Sequence, residues 1–235
     1  MARRPVRKPS EPAEPSAPTK TNREKIIDAL MELLAGERIE DIGFGAIAAR
    51  AGLSLADCRA EFRSVLAILA AYTKDLDRQV LSGGDTDSEE EPPRERLFDI
   101  LMRRLEALAP HKAAIRSLAR SAARDPALAF ALNGLSVRSM QWMLTAADIS
   151  AAGPKGILRG QGLALLYASV LRTWLDDDDP GLARTMAALD RGLARGARLS
   201  GVLDQVCRFV PTRCCPPGRW SRNSRDRPDE ETAAA

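Results

Sequence analysis

The 235-residue chain is poor in the residues from which most catalytic centres are built. It has a single histidine, His111, and four cysteines, Cys58, Cys207, Cys214 and Cys215, with no CxxC pair among them. A tetrahedral zinc site and a disulfide framework are excluded on that spacing. There is no G-x-S-x-G elbow and no phosphate-binding loop, so nothing in the chain sets up acyl or phosphoryl transfer. The sequence therefore predicts a protein that is not an enzyme and carries no cofactor. Aromatic residues make up only 4% of the chain, and β-branched residues are thin beside alanine and leucine. That balance favours helix over sheet. No run approaches the roughly 18 to 20 apolar residues of a membrane span. The opening "MARRPVRKPSEPAEPSAPTK" holds no apolar stretch that could act as a signal peptide. An all-α cytoplasmic protein is expected.

The net charge of +3 is unevenly placed. Residues 1–23 carry Arg3, Arg4, Arg7, Lys8, Lys20 and Arg23 against Glu11 and Glu14, and residues 208–235 carry six arginines against four acids. The flanks thus hold +4 and +2, which leaves −3 for the middle. Both flanks are rich in proline, serine and charge, the composition of disordered segments. A basic arm over 1–20 and a disordered tail over 207–235 are predicted.

Between them the apolar residues recur at helical spacing. Thr21 and Glu24 form a T-x-x-E capping box ahead of Ile26, Ile27, Leu30, Leu33 and Leu34, which predicts a first helix over about 22–35. Two short helices follow, Phe44 to Ala51 and Leu55 to Glu61, then a longer one with the stripe Val65, Leu69, Tyr72 and Leu76. The stretch "SGGDTDSEEEPPRE" has no apolar residue and reads as a linker over 82–93 between an N-terminal domain, 21–81, and a second one, 94–206. In the second domain, Asp125 and Pro126 make an N-cap and first helical position, as do Asp179 and Pro180 further on. The segment 156–175 is apolar round most of its circumference, and such a helix is buried on several sides.

The stretch "AIAARAGLSLADCRAEF", Ala46 to Phe62, is shaped as a helix-turn-helix. Gly52 supplies a residue for the tight turn, and Ser54 with Asp57 gives the S-x-x-[DE] signature that opens a second helix. Residues 22–72, and "IAARAGLS" above all, resemble the N-terminal domain of the TetR family of bacterial regulators, whose usual run is close to "IAARAGVSKGTLYRHFPSKEALL". Phe62 falls on that family's aromatic position. The resemblance implies an all-helical homodimer with an N-terminal three-helix domain that binds a double-stranded DNA operator. It also implies a C-terminal helical domain that takes a small molecule and dimerises through its last two long helices. Carried onto this chain, the DNA-binding positions are Arg50, Ser54, Leu55, Asp57, Arg59 and Phe62.

The departures lie where DNA would. Leu55, Asp57, Arg59, Ala60 and Glu61 stand in place of the family's Lys, Thr, Tyr, Arg and His, and residues 24–62 hold eight acids against four bases. A surface of that sign weakens phosphate attraction, which comes from Lys and Arg. Two readings follow: Asp57 is a helix cap and Arg50, Arg59 and the arm supply the attraction, or the module is a scaffold that no longer reads DNA. "VRSMQWMLTAADI" and "LRTWLDDDDPGLARTMAALDRGL" also resemble the ubiquinone-biosynthesis accessory proteins, TetR-like lipid binders without DNA binding. That resemblance implies a lipid in the C-terminal domain. It also gives a membrane-facing stripe over Leu199, Val202, Leu203, Val206 and Val210, although such a stripe packs on a protein body equally well. Met140, Trp142, Met143, Tyr167 and Trp174 lie on the two most apolar helices and are the candidate lining of a hydrophobic ligand pocket, with ordinary core as the competing role. "GFGAIA" matches a dinucleotide fingerprint in letters alone, and the aspartates 176–179 read as a solvated loop.

Overall fold

The computed structural model describes residues 20–83 and 91–209, with side chains as far as Arg198. Nine α-helices occur among the described residues and no strand. They are α1 (Asn22–Gly36), α2 (Phe44–Ala51), α3 (Leu55–Glu61), α4 (Val65–Ser82), α5 (Pro93–Leu108), α6 (Lys112–Ala122), α7 (Pro126–Ala146), α8 (Gly153–Leu175) and α9 (Ala183–Phe209). The chain is all-α, as its composition predicts.

Local chemistry sets most helix starts. Thr21 and Glu24 form the expected reciprocal box: the Glu24 N–H donates to Thr21 Oγ1, and the Thr21 N–H to Glu24 Oε2 at 2.8 Å. Two otherwise orphaned donors at the start of α1 are satisfied in this way. Asp125 caps α7, with Oδ1 accepting from the backbone of Ala127 at 2.8 Å and Leu128 at 3.2 Å.

The start of α9 differs from expectation. Pro180 does not occupy its first turn; Leu182 instead takes a left-handed conformation, φ 51°, and the helix begins at Ala183. Asp179 still serves it, accepting from Gly181 N and Ala183 N at 3.2 and 3.3 Å. Asp177, 2% exposed, accepts from the Thr185 backbone at 2.9 Å and from Thr185 Oγ1 at 2.7 Å. The acidic loop thus turns two carboxylates onto the positive end of one helix. Helix α8 likewise starts earlier than the apolar run suggests, with Pro154 in its first turn.

Two apolar clusters form the interior. One is built on α1, α2 and α3 with the start of α4: Ile26, Leu30, Leu34, Ile47, Cys58 and Ile68 are fully buried. The other gathers the end of α4 with α5, α7, α8 and α9 around Leu101, Leu105, Met140, Met143, Trp174 and Leu189. The first cluster does not stop at the predicted linker. Ala114 of α6 lies in it, and Ile115, Leu118, Leu132 and Leu135 pack against it. The described residues up to Ala197 accordingly form one compact unit, and residues 198–209 belong to a second. Most of the acidic linker, the basic arm before Lys20, the tail beyond Phe209 and the side chains of the 199–210 stripe lie outside the described residues. No helix among the described residues is long and apolar enough to cross a membrane.

Candidate DNA-binding site

The turn between α2 and α3 is closed by Gly52 at φ 64° and ψ 36°, whose N–H donates to the carbonyls of Ala48 and Ala49. A left-handed residue of this kind ends a helix with least strain when it has no Cβ. Leu53 N then donates to Ala48 O at 3.0 Å. Ser54 opens α3: its hydroxyl accepts from Asp57 N at 3.1 Å, while the Ser54 hydroxyl and N–H donate to Asp57 Oδ2 at 2.6 and 3.2 Å.

This box decides what Asp57 does. The Ser54 donors hold its carboxyl below the usual range, so it is ionised at neutral pH. Its charge is bound back onto the first turn of its own helix, where an anion is favoured. One of the two acids singled out on the recognition helix is therefore a cap. The other, Glu61, is exposed in the last turn.

The inward side of α3 is Cys58, fully buried, followed by Phe62 at 8% exposure, whose N–H donates to Cys58 O at 2.9 Å. Burial pushes the Cys58 thiol up, in keeping with a packing role. Phe62 thus seats α3 on the N-terminal core and does not face outward. On the other side Leu55, Ala56, Arg59 and Ala60 are exposed, Leu55 at 59%. Arg59 has no ion-pair partner among the described residues. Neither does Arg63, one residue past Phe62 and also exposed. Arg50 is different: its Nη1 lies 3.4 Å from Glu32 Oε2, with both side chains more than half exposed.

Arg63 is the residue that sequence reasoning missed. It stands in "EFRS", where the family's run has proline, and a count of charge halted at Phe62 leaves it out. Extending the comparison one residue beyond the aromatic position would have found it. The acids of this region are also less free than their number suggests. Glu24 is held by Thr21, Asp28 by Lys20 at 2.7 Å, Glu32 by Arg50 and Glu40 by Arg38.

The five residues predicted for a ligand pocket fall into two sets. Met140, Met143, Tyr167 and Trp174 are all in the second apolar cluster, each 5% exposed or less. Trp142 is not with them. It is 58% exposed, because on a helix that turns 100° per residue it points away from the side shared by 140, 143 and 144. Among the described residues no group of His, Cys, Asp and Glu is arranged to hold a metal ion.

No protein-family model matches the sequence, and no curated protein matches it. Solved structures do match the fold. A TetR transcriptional regulator from Nitrosomonas europaea ATCC 19718 superposes with a TM-score of 0.60 at 23% identity, over 76% of this chain and 99% of that one. A TetR transcriptional regulator from Rhodococcus sp. RHA1 gives 0.55 at 19% identity, over 74% of this chain and 95% of that one. The fold is that of TetR transcriptional regulators.

Proposed function

We propose that this chain is a TetR-like transcriptional regulator that works as a cytoplasmic homodimer, places α3 of each copy in the major groove of an operator and responds to a hydrophobic small molecule. The observation that carries this reading is the outer side of α3 and the turn after it, where Arg59 on the helix and Arg63 just beyond it stand exposed, without an ion-pair partner among the described residues, while the Asp57 charge is turned onto the helix start. Arg59 is the residue for base readout, since a guanidinium can address a guanine edge with two donors. Arg63, Arg50 and the basic arm are suited to phosphate, where position counts more than sequence. Ser54, Leu55 and Asp57 form the leading end of the recognition helix, and Phe62 sets its angle from within.

Dimerisation is assigned to α8 and α9. Ile157, Leu158 and Leu165 on α8 are 54% to 61% exposed, and Met186 on α9 is 38% exposed. Apolar side chains at that spacing on one helix suit a second copy better than water. The effector is assigned to the cluster of Met140, Met143, Tyr167 and Trp174, whose soft and aromatic side chains can repack around an apolar molecule. A ligand there biases α4, which runs from the first apolar cluster into the second, and so shifts the population of DNA-competent dimers.

Electrophoretic mobility shift of the purified chain with its selected operator tests the reading. Arg59→Ala is expected to weaken operator binding and relax the sequence preference with the fold retained. Equal binding by wild type and variant would leave α3 without a role. A chain that binds no DNA and co-purifies with an apolar extract would support the lipid-binding accessory reading, with the helix-turn-helix kept as scaffold.

A further inference from the structure

Inside the second apolar cluster lies a group of polar side chains with more hydrogen-bonding capacity than partners. Arg104 on α5 is 5% exposed, Asp77 on α4 8% and Ser139 on α7 1%. Ser139 Oγ donates to Asp77 Oδ1 at 2.7 Å, and Arg104 Nη2 donates to Ser139 Oγ at 2.8 Å and lies 3.3 Å from Asp77 Oδ1. Both contacts of the guanidinium use one nitrogen, Nη2. Arg104 Nε and Nη1 are buried and have no partner among the described residues, and the same is true of the Tyr72 and Tyr167 hydroxyls. The guanidinium sits over the Tyr167 ring, 5.3 Å from its centroid. Burial raises both phenols to about 12, against the opposing pull of Arg104, so each keeps its proton at neutral pH and can donate.

Leaving a buried polar group without a partner is costly, and more so when it is charged. Four donor groups, two of them on one cation, share this part of an otherwise apolar core. We propose that Arg104, Tyr72 and Tyr167 form the binding site for an amphiphilic monocarboxylate, its headgroup accepting from Arg104 and the phenols and its apolar chain packing against Met140 and Met143. Asp77 already faces one nitrogen of the guanidinium, so a dianionic phosphate would bury more negative charge than a monocarboxylate, with the same single cation to offset it. Burial raises the Asp77 carboxyl, against the opposing pull of Arg104 and the Ser139 hydrogen bond.

Of Arg104, Tyr72 and Tyr167, Tyr72 is the one that borders a surface groove. Tyr72 and Leu76 line an open groove of about 510 Å³ between α1, α4 and the end of α5. His111 meets the Tyr72 ring edge-on there, with centroids 5.4 Å apart. Of the acids at the groove, Asp28 is paired with Lys20 and Asp75 with Arg23 and Arg78, and Glu24 keeps its charge within the helix cap at Thr21.

This assignment deepens the regulator reading and rests on it for its consequence: a carboxylate that recruits Arg104 loosens the Asp77 contact that ties α4 to α5 and α7. Binding itself is measured without DNA, so the two can fail separately. Isothermal titration of the full-length chain with octanoate, and with octan-1-ol of the same chain length, reads the site directly. Octanoate is expected to bind at least tenfold more tightly than the alcohol. Tyr167→Phe and Tyr72→Phe, which keep shape and circular dichroism, are each expected to weaken it about tenfold by removing one donor to a charge. Arg104→Met is expected to abolish the preference for octanoate. Absence of octanoate binding, equal affinity for acid and alcohol, or indifference to the tyrosine substitutions would overturn the proposal. A chain that binds octanoate but no operator keeps this site and loses the regulator reading; one that binds operator but no octanoate does the reverse.

Discussion

Ser54, Asp57, Arg59 and Arg63 lie within ten residues of one another, and the proposed DNA-reading surface gives each a separate part. Ser54→Ala removes the hydroxyl that accepts from Asp57 N, and loss of such a cap costs about 0.5 to 2 kcal/mol. A lower midpoint in thermal unfolding is expected, with weaker DNA binding because α3 frays from its leading end. Asp57 gives a pH test. Its folded-state carboxyl is held below its ordinary value by Ser54, so the stability it contributes is complete above the ordinary carboxylate range and is lost as pH falls through the folded value. Asp57→Asn should therefore lose less thermal stability than wild type between pH 6 and pH 3. Arg59→Ala and Arg63→Ala should separate by kind. The first is expected to cost about 1 to 3 kcal/mol against the preferred operator and to relax specificity. The second should weaken all sequences alike and reduce the salt slope by about one.

Among the elements, α8 is tested most sharply at Gly156. A Cβ there would stand 2.1 Å from the Ala151 carbonyl carbon and oxygen, which are backbone and cannot rotate away. Overpacking of this kind costs about 1 to 3 kcal/mol, so Gly156→Ala should lower the midpoint by several degrees, read by circular dichroism at 222 nm. The run 156–175 was legible in the sequence as a helix, but not as one buried on several sides, since Ile157, Leu158 and Leu165 are exposed; nor was its start legible, because Gly153 and Pro154 carry loop chemistry and helix-start chemistry alike. The short α2 and α3 were legible almost to the residue, since Gly52 and Ser54 mark their ends by chemistry that acts locally. The start of α9 was misplaced for the opposite reason. Asp-Pro is a good cap in isolation, but the loop closes through Leu182 and is tied by Asp177 to Thr185, contacts that spacing alone does not specify. Arg104 and Asp77 were passed over in the stripes they interrupt. Arg104 falls seven residues after Leu97 and three after Leu101, on the apolar side of α5, and a charge in such a place asks for a buried partner.

Across the whole molecule, the linker composition suggested two separate domains, while the packing carries α6 onto α1 and into the N-terminal core. Ser117 Oγ also donates to the Glu37 carbonyl at 2.8 Å, joining α6 to the end of α1. On the proposed effector site, a shift in the second cluster would reach the helix-turn-helix through α4 and α6. On the proposed arrangement the molecule is a dimer at micromolar concentration. Replacing Leu158 and Leu165 by glutamate together should yield a folded monomer by light scattering, with the operator affinity lost, because two half-sites are no longer bound as one.

The central claim is that α3 reads DNA despite the acids around it. Selection of genomic fragments by the purified full-length chain at about 50 and 200 mM salt measures it most directly, because phosphate contacts make affinity fall steeply over that range. The prediction is recovery of a two-fold symmetric site, with half-sites about 10 base pairs apart or a multiple of that, bound more weakly at the higher salt and weakened by Arg59→Ala. Recovery of no preferred sequence at either salt by a folded dimer would contradict it.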